Sequence, residues 1–250
     1  MTDIGLVRNE NQDAYLVRAN EETGHLICVV CDGMGGHTGG RIASKLAAEV
    51  FVETCSSNLT CGMSEDEVSA VAEFAVSAAN GAVYKLSREE EELRGMGTTL
   101  VSAIVWGDKA FLNNVGDSRA YLIRGIKNGC CEEETGIIRI TKDHSLVERL
   151  VDMGSITEEE ARSHPDRNLI TRALGPDAET TSDSYVLSLE PGDYLLLCTD
   201  GLIDTVTDRE MEAEIRACGG KSECLNRLLE ISKSRGAADN VTAVLLLYLQ

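Results

Sequence analysis

The sequence predicts a layered α+β sandwich, and three patterns predict it. Two long amphipathic helical stretches lie in the first half of the chain, the other apolar residues fall mostly in short strand-like runs, and short turns join many of those runs. Parallel strands need a long crossover connection, so Gly107-Asp108 and Gly116-Asp117-Ser118 imply antiparallel hairpins and argue against a doubly wound sheet.

In chain order, the apolar run 26–31 reads as a buried strand. Ile42, Leu46, Val50 and Phe51 share one face of a first helix. Val68, Val71, Ala72, Ala75, Ala79, Ala82, Val83 and Leu86 share one face of a longer second helix, which Ser64 and Glu67 open with a capping box. Strands follow at 98–105, 109–115, 119–124 and 136–140, then at 184–189, 193–198 and 241–249. Further helices are expected at 145–153, 158–163, 208–217 and 222–232. No linker or low-complexity stretch divides the chain, so residues 1–250 read as a single domain. The segment at about 146–175 is mostly polar, has short elements and carries Arg162, His164, Arg167 and Arg172; it reads as an excursion from the sandwich, a flap. Residues 127–135, with Cys130, Cys131 and three glutamates, read as an exposed hairpin tip.

Composition narrows the function. A hydrophobic content of 43% supports a real core, and with only 10 aromatics (3 Phe, 6 Tyr, 1 Trp) that core is built from Leu, Ile, Val and Ala. The 23 Lys plus Arg stand against 42 Asp plus Glu, a formal charge of -19 that repels nucleic acid and anionic membranes. The start of the chain has no signal-peptide pattern, and no apolar run approaches the roughly 20 residues that span a bilayer. Nine cysteines, an odd number without a secreted framework, suggest reduced thiols in the cytoplasm. Cys28 and Cys31 form a C-x-x-C, but within an apolar run they read as core thiols, and no second such pair completes a zinc site.

The chemistry lies in a repeated local grammar. The buried-strand pattern His25-Leu26-Ile27-Cys28-Val29-Val30-Cys31 stops at Asp32-Gly33, and Tyr194-Leu195-Leu196-Leu197-Cys198-Thr199 runs into Asp200-Gly201. A carboxylate at the end of a buried strand is held rigidly at the rim of a core, and the following glycine lets the backbone turn so that its carbonyl also faces a ligand. Asp13, Asp117 and Asp239 occupy similar places. Each Asp-Gly is by itself a turn signal, whereas the set suggests an all-oxygen site selective for Mg²⁺ or Mn²⁺. Gathered carboxylates repel and partly protonate unless cations neutralise them. Competing motifs fail on single residues: Thr38 stands where a G-x-G-x-x-G loop needs its last glycine, and Ile215 stands where a P-loop needs its first. There is no G-x-S-x-G elbow, C-x₅-R or H-E-x-x-H.

At this point the chain closely resembles the metal-dependent protein serine/threonine phosphatases of type 2C, in their bacterial form. The matching stretches are Asp3-Ile4-Gly5-x-x-Arg8-x-x-Asn11-Gln12-Asp13, Asp32-Gly33-Met34-Gly35-Gly36-His37, Gly97-Thr98-Thr99 and Gly116-Asp117-Ser118-Arg119. Thr141-x-Asp143-His144-Ser145, Thr171-Arg172-Ala173-Leu174-Gly175, Thr199-Asp200-Gly201-Leu202 and Asp239-Asn240-Val241-Thr242 complete the series over essentially the whole chain. The resemblance implies a four-layer α-β-β-α sandwich, two antiparallel sheets flanked by helix pairs, with metals in the cleft at one end. It implies that Asp32, Asp200 and Asp239 hold a first metal, and that Asp13, Asp32 and the Gly33 carbonyl hold a second. Asp117 would hold a third, weaker metal, and Arg8 would grip the substrate phosphate. A water bridging two such cations is acidified enough to attack phosphorus in line, with metal charge and the guanidinium on the equatorial oxygens. Strict dependence on Mn²⁺ or Mg²⁺ follows, because the bare acidic cleft would expel a phosphate dianion.

Gln12 stands where many members have Glu, as it does in bacterial relatives. Met34 stands where eukaryotic members have a histidine proposed as general acid; His37 either takes that part or orders the glycine loop. The chain starts at the first motif, so strand residues that usually precede it are expected to be missing from the first sheet. Asp143 and His144 are read as structural, through helix capping. The expected partners are phosphoproteins made by a bacterial serine/threonine kinase and the kinase itself, with the chain a cytoplasmic monomer that binds neither nucleic acid nor membrane. A catalytically weak regulatory module of the same fold, and a metal phosphatase for small molecules or nucleotides, are the alternatives.

Overall fold

Alternation along the strands builds two sheets that share one apolar layer. The computed structural model describes residues 1–36, 38–125, 136–219 and 221–249. The chain runs β1 (Thr2–Asp3), β2 (Asp13–Asn20), β3 (His25–Met34), α1 (Gly39–Asn58), α2 (Glu65–Glu89), β4 (Gly97–Thr98), β5 (Leu100–Trp106), β6 (Lys109–Val115) and β7 (Arg119–Ile123). It continues through β8 (Ile137–Arg139), α3 (Leu146–Asp152), α4 (Glu158–Arg162), β9 (Asp183–Ser188), β10 (Tyr194–Cys198), α5 (Asp200–Ile203), α6 (Asp208–Ala217), α7 (Glu223–Ser234) and β11 (Val241–Leu247). One sheet has the order β2-β3-β5-β6-β9 with β4 alongside β3, the other β1-β11-β10-β7-β8, and every pairing is antiparallel.

Because successive side chains point to opposite faces, each central strand feeds two cores. In β3, Ile27, Val29 and Cys31 pack under α1 and α2, while Cys28 and Val30 face the second sheet. In β10, Leu196 and Cys198 pack against the layer of α5, α6 and α7, while Leu195 and Leu197 meet Cys28 and Val30 in the shared layer. The result is the expected order α-β-β-α. The capping box at Ser64 forms in full, with Glu67 N–H donating to Ser64 Oγ at 3.4 Å and Ser64 N–H to Glu67 Oε2 at 2.8 Å. Cys28 and Cys31 are core thiols as expected: both are fully buried, and burial pushes the Cys28 thiol up to about 12.

Three expectations need correction. Gly116-Asp117-Ser118 is no hairpin turn: β6 lies in one sheet and β7 in the other, so this corner carries the chain across the sandwich. The strand expected at 98–105 breaks at Thr99, with Gly97–Thr98 paired to Gly33–Met34 and the remainder paired to 26–30. β3 also continues through Asp32 and Gly33 to Met34, so Gly33 does not turn the chain. It is glycine for space, since a Cβ there would lie 2.0 Å from the Gly40 carbonyl oxygen and 2.6 Å from that of Gln12. Gly201 is alike: a Cβ would meet the Asn240 carbonyl oxygen at 2.1 Å. The edge strand β2, half-exposed and partly polar, carries no apolar run and escaped the sequence reading. Thr2 and Asp3 pair with Thr242 and Val241, so the second sheet has a short edge strand at the chain start. Residues 127–135, read as a hairpin tip, lie outside the described residues.

Chemical denaturation should separate these glycine roles by sign. Gly33→Ala is expected to destabilise by about 3 kcal/mol or more, because only backbone surrounds the added methyl. Gly81→Ala, at an exposed position inside α2 with nothing within 4 Å, should stabilise by about 0.5–1 kcal/mol.

Candidate active site

The shared apolar layer turns polar at one end, and the periodicity of the strands dictates which residues appear there. Cys28 and Val30 face the second sheet, so Asp32 two residues on faces the same way; Leu195 and Leu197 are likewise followed by Thr199. Asp13 lies directly opposite Asp32 on the neighbouring strand, two carboxyls on one sheet face. Thr199 Oγ1 donates across the sandwich to Asp13 Oδ2 at 3.0 Å, tying the sheets together at this point. Asp200 opens α5, rather than ending a strand as expected, and Asp239 precedes β11.

Asp32 is held at the break in its ladder. Its N–H donates to Thr99 Oγ1 at 2.9 Å, and its carbonyl accepts from Thr99 N–H at 2.9 Å and Thr98 Oγ1 at 2.8 Å. Thr99 Oγ1 also shares a 2.7 Å hydrogen bond with Ser118 Oγ, so the corner bearing Asp117 is linked to the backbone of Asp32. A cleft results, lined by Arg8, Gln12, Asp32, Gly33, Met34, Gly35, Asp117, Asn168, Ile170, Asp200, Asp239 and Asn240. Asp13 lies beneath it, close enough to Asp200 and Asp239 to feel their charge.

Electrostatics mark these groups as a set. Burial, reinforced by Asp200 and Asp239, pushes Asp13 up to about 7. Burial, with Asp239 and Asp204 nearby, pushes Asp200 up to about 6. Asp32 and Asp117 also lie well above the usual carboxylate range, through burial first and neighbouring aspartates second. The buried oxygens Asp13 Oδ1 and Asp200 Oδ1 have no hydrogen-bond partner among the described residues. Unmatched acceptors, excess negative charge and an all-oxygen donor set fit hard divalent cations. Among the described residues, no three Asp, Glu, His or Cys side chains are drawn together closely enough to hold an ion as they stand. Asp239 shows one reason: its Oδ2 is taken by Arg8, which donates at 2.6 Å and is itself half-exposed. The guanidinium expected to grip phosphate therefore serves as a local counter-charge.

Of the residues singled out in the sequence, Arg8, Asp32, Gly33, Asp117, Asp200 and Asp239 line one cleft and Asp13 supports it, whereas His37 lies outside the described residues. Asn168 and Ile170, from the segment after α4, also line the cleft, although nothing in their local sequence is unusual. Asn240 also lines the cleft. Its Nδ2 donates to the carbonyls of Ile4 and Glu10 at 2.9 and 3.0 Å, and its Oδ1 accepts from Gln12 N–H at 2.8 Å, which lashes the segment carrying Arg8 to the cleft. Asp143 is structural, though it caps no helix. It binds Arg119 and Arg139, each at 2.7 Å, while Ser145 Oγ caps α3 by accepting from Glu148 N–H at 3.2 Å. Of the arginines singled out between 146 and 175, Arg172 pairs with Asp183 at 2.7 Å and Arg167 with Asp204 at 3.5 Å.

Fold and cleft together define the class that the motifs resemble. The protein phosphatase 2C family profile matches residues 7–245, and the chain belongs to that family. It is 34% identical over 245 residues to the serine/threonine phosphatase stp of Listeria monocytogenes, covering 98% of this chain and 92% of that protein. It is 38% identical over 248 residues to the serine/threonine protein phosphatase PstP of Mycobacterium tuberculosis, covering 97% of this chain and 43% of that longer one. A crystal structure of the PstP catalytic domain in complex with 2 manganese ions superposes with a TM-score of 0.82 at 34% identity, covering 100% of this chain and 96% of that one.

These raised carboxyls have a thermodynamic sign. Between about pH 4 and pH 7 the folded chain keeps protons on Asp13 and Asp200 that the unfolded chain, titrating near 3.8, releases. Their contribution to stability is full below about pH 4 and is lost as pH rises through 6 and 7. In chelator, the melting temperature of Asp200→Asn relative to the parent should therefore rise from about pH 4 and level off above about pH 7. A difference that stays flat over that range would contradict the assignment.

Proposed function

We propose that the chain is a Mn²⁺- or Mg²⁺-dependent protein serine/threonine phosphatase, hydrolysing phosphoserine and phosphothreonine in proteins. The observation that carries this reading is the convergence of Asp13, Asp32, Asp117, Asp200 and Asp239 on one cleft end, with unmatched buried oxygens on Asp13 and Asp200. Family membership and the manganese-bound relative support it. Asp32, Asp200 and Asp239 would hold one cation, Asp13, Asp32 and the Gly33 carbonyl a second, and Asp117 a third. Such cations supply charge neutralisation and acidify water for in-line attack on phosphorus.

The remaining work falls to the chain itself. Arg8 exchanges Asp239 for the equatorial oxygens of the substrate phosphate, a bidentate partner that fixes orientation. Asn240 keeps the Arg8 segment against the cleft, and Asn168 and Ile170 wall it from the flap side. His37 keeps the two roles its sequence position gives it, proton donor to the leaving oxygen or organiser of the glycine loop.

The substrates in this reading are phosphoproteins made by a bacterial serine/threonine kinase, and the kinase itself. A formal charge of -19 disfavours nucleic acid, and among the described residues no helix is long and apolar enough to cross a membrane. We place the chain in the cytoplasm as a monomer. All five aspartates are present, which favours a working enzyme over a regulatory binding module. Faster turnover of nucleotides than of phosphopeptides would shift the substrate class to small molecules.

Purified chain with added Mn²⁺ should hydrolyse p-nitrophenyl phosphate and a phosphothreonine peptide, and EDTA should abolish both activities. Asp32→Ala and Asp200→Ala should each lower kcat by about 10³-fold or more, given the several kcal/mol that such charge stabilisation supplies. Full activity in EDTA would refute the metal-dependent mechanism.

A further inference from the structure

Asp117 stands on the one connection between β6 and β7 that crosses from sheet to sheet, so no ladder fixes its backbone. The residue before it, Gly116, is in the left-handed region at φ +108, and Thr99 Cγ2 would lie 2.6 Å from any Cβ there. Gly116 is instead gripped by His144. His144 N–H donates to the Gly116 carbonyl at 2.9 Å, and Gly116 N–H donates to His144 Nδ1 at 3.0 Å. Asn114 Nδ2 adds a weaker bond to the same carbonyl at 3.3 Å.

The opposite edge of the imidazole faces the flap. Nδ1 accepts from Gly116 N–H, and Nε2 lies 3.2 Å from Asp183 Oδ2. Arg172 NH1 lies 2.8 Å from Nε2 and donates to Asp183 Oδ1 at 2.7 Å. The backbone closes the connection, with Thr171 N–H donating to the His144 carbonyl at 2.7 Å. The ring is 8% exposed, burial holds it below the usual histidine range, and it is not among the described residues lining the cleft. Both ring nitrogens are committed to protein groups, which leaves His144 no direct part in the chemistry.

We propose that His144 is a positioning residue: its Nδ1 fixes the corner from which Asp117 enters the cleft, and its backbone carbonyl fastens that corner to the segment carrying Asn168 and Ile170. This rests on reading Asp117 as a ligand of the third cation. A ligand on an unsupported loop must be ordered each time an ion binds, and that cost falls on the weakest ion first. His144 removes it in advance by fixing the backbone beside Asp117.

The test uses the full chain and Mn²⁺ calorimetry alongside turnover. Asn places Oδ1 about where Nδ1 stands, so His144→Asn should preserve the grip on Gly116; Gln sets its acceptor one bond too far. His144→Gln and His144→Ala should weaken the last Mn²⁺ step about tenfold, as loss of a supporting hydrogen bond does, while earlier steps hold. Their kcat should recover at high Mn²⁺, and amide exchange over 114–118 should accelerate. His144→Asn should match the parent within about twofold in all three readouts, since the supporting hydrogen bond is kept. Where His144→Ala fails to fold, the Asn and Gln variants decide. Equal Mn²⁺ affinity in the Gln variant and the parent, or an Asn variant as impaired as the Gln one, would overturn the proposal. Asp117→Ala separates the two layers of inference: if it leaves every Mn²⁺ step unchanged, the ligand role of Asp117 falls and this proposal with it. If it weakens the last step while His144→Gln does not, only the role of His144 falls.

Discussion

The constraint on which the rest of this molecule depends is the repulsion among carboxylates held at the edge of a hydrophobic layer. Removing a charge from water is costly, and placing Asp13 opposite Asp32 with Asp200 and Asp117 nearby multiplies that cost. The fold opposes it with rigidity. Two sheets fix the strand directions, the apolar residues at alternate positions fix which face each aspartate shares, and Thr98, Thr99 and Thr199 hold the carboxylates and their backbone in place. Glycines at 33 and 201 then let neighbouring backbone approach so closely that the cleft floor has no slack.

Positive charge is supplied sparingly. Arg8 reaches Asp239 from a segment that Asn240 straps down, so its partner and its tether are adjacent residues. Arg119, Arg139 and Arg172 serve elsewhere, on Asp143 and Asp183, and stiffen the frame behind the cleft. This division leaves the excess negative charge of the cleft to divalent cations and explains why a strongly acidic protein can handle an anionic substrate.

Much of this was legible in the sequence, for identifiable reasons. The helical faces of α1 and α2, the Ser64 capping box and the apolar runs of β3 and β10 are strong local signals; β3 contains Asp32 and β10 is followed closely by Asp200. Less legible were features set by tertiary contact. The corner at 116–118 looks like a hairpin turn locally, and only the placement of β6 and β7 in different sheets shows otherwise. The Asp-Gly pairs suggested turns, whereas Gly33 is a spacer against Gly40 and Gln12, and Gly201 against Asn240. β2 carries no signal because an edge strand needs no apolar run, and Asn168 and Ile170 carry none because their place in the cleft lining is set by tertiary contact.

The central claim is that these carboxyls are kept partly protonated by burial and one another until cations replace the protons. Calorimetric titration of metal-free chain with Mn²⁺, repeated in buffers of different ionisation enthalpy, reads that exchange directly. With Asp13 pushed up to about 7 and Asp200 to about 6, binding should release protons at about pH 6 and progressively fewer toward pH 8. Release should also diminish in Asp13→Asn. Mn²⁺ binding with no proton release at any pH, or no binding at all, would contradict the account.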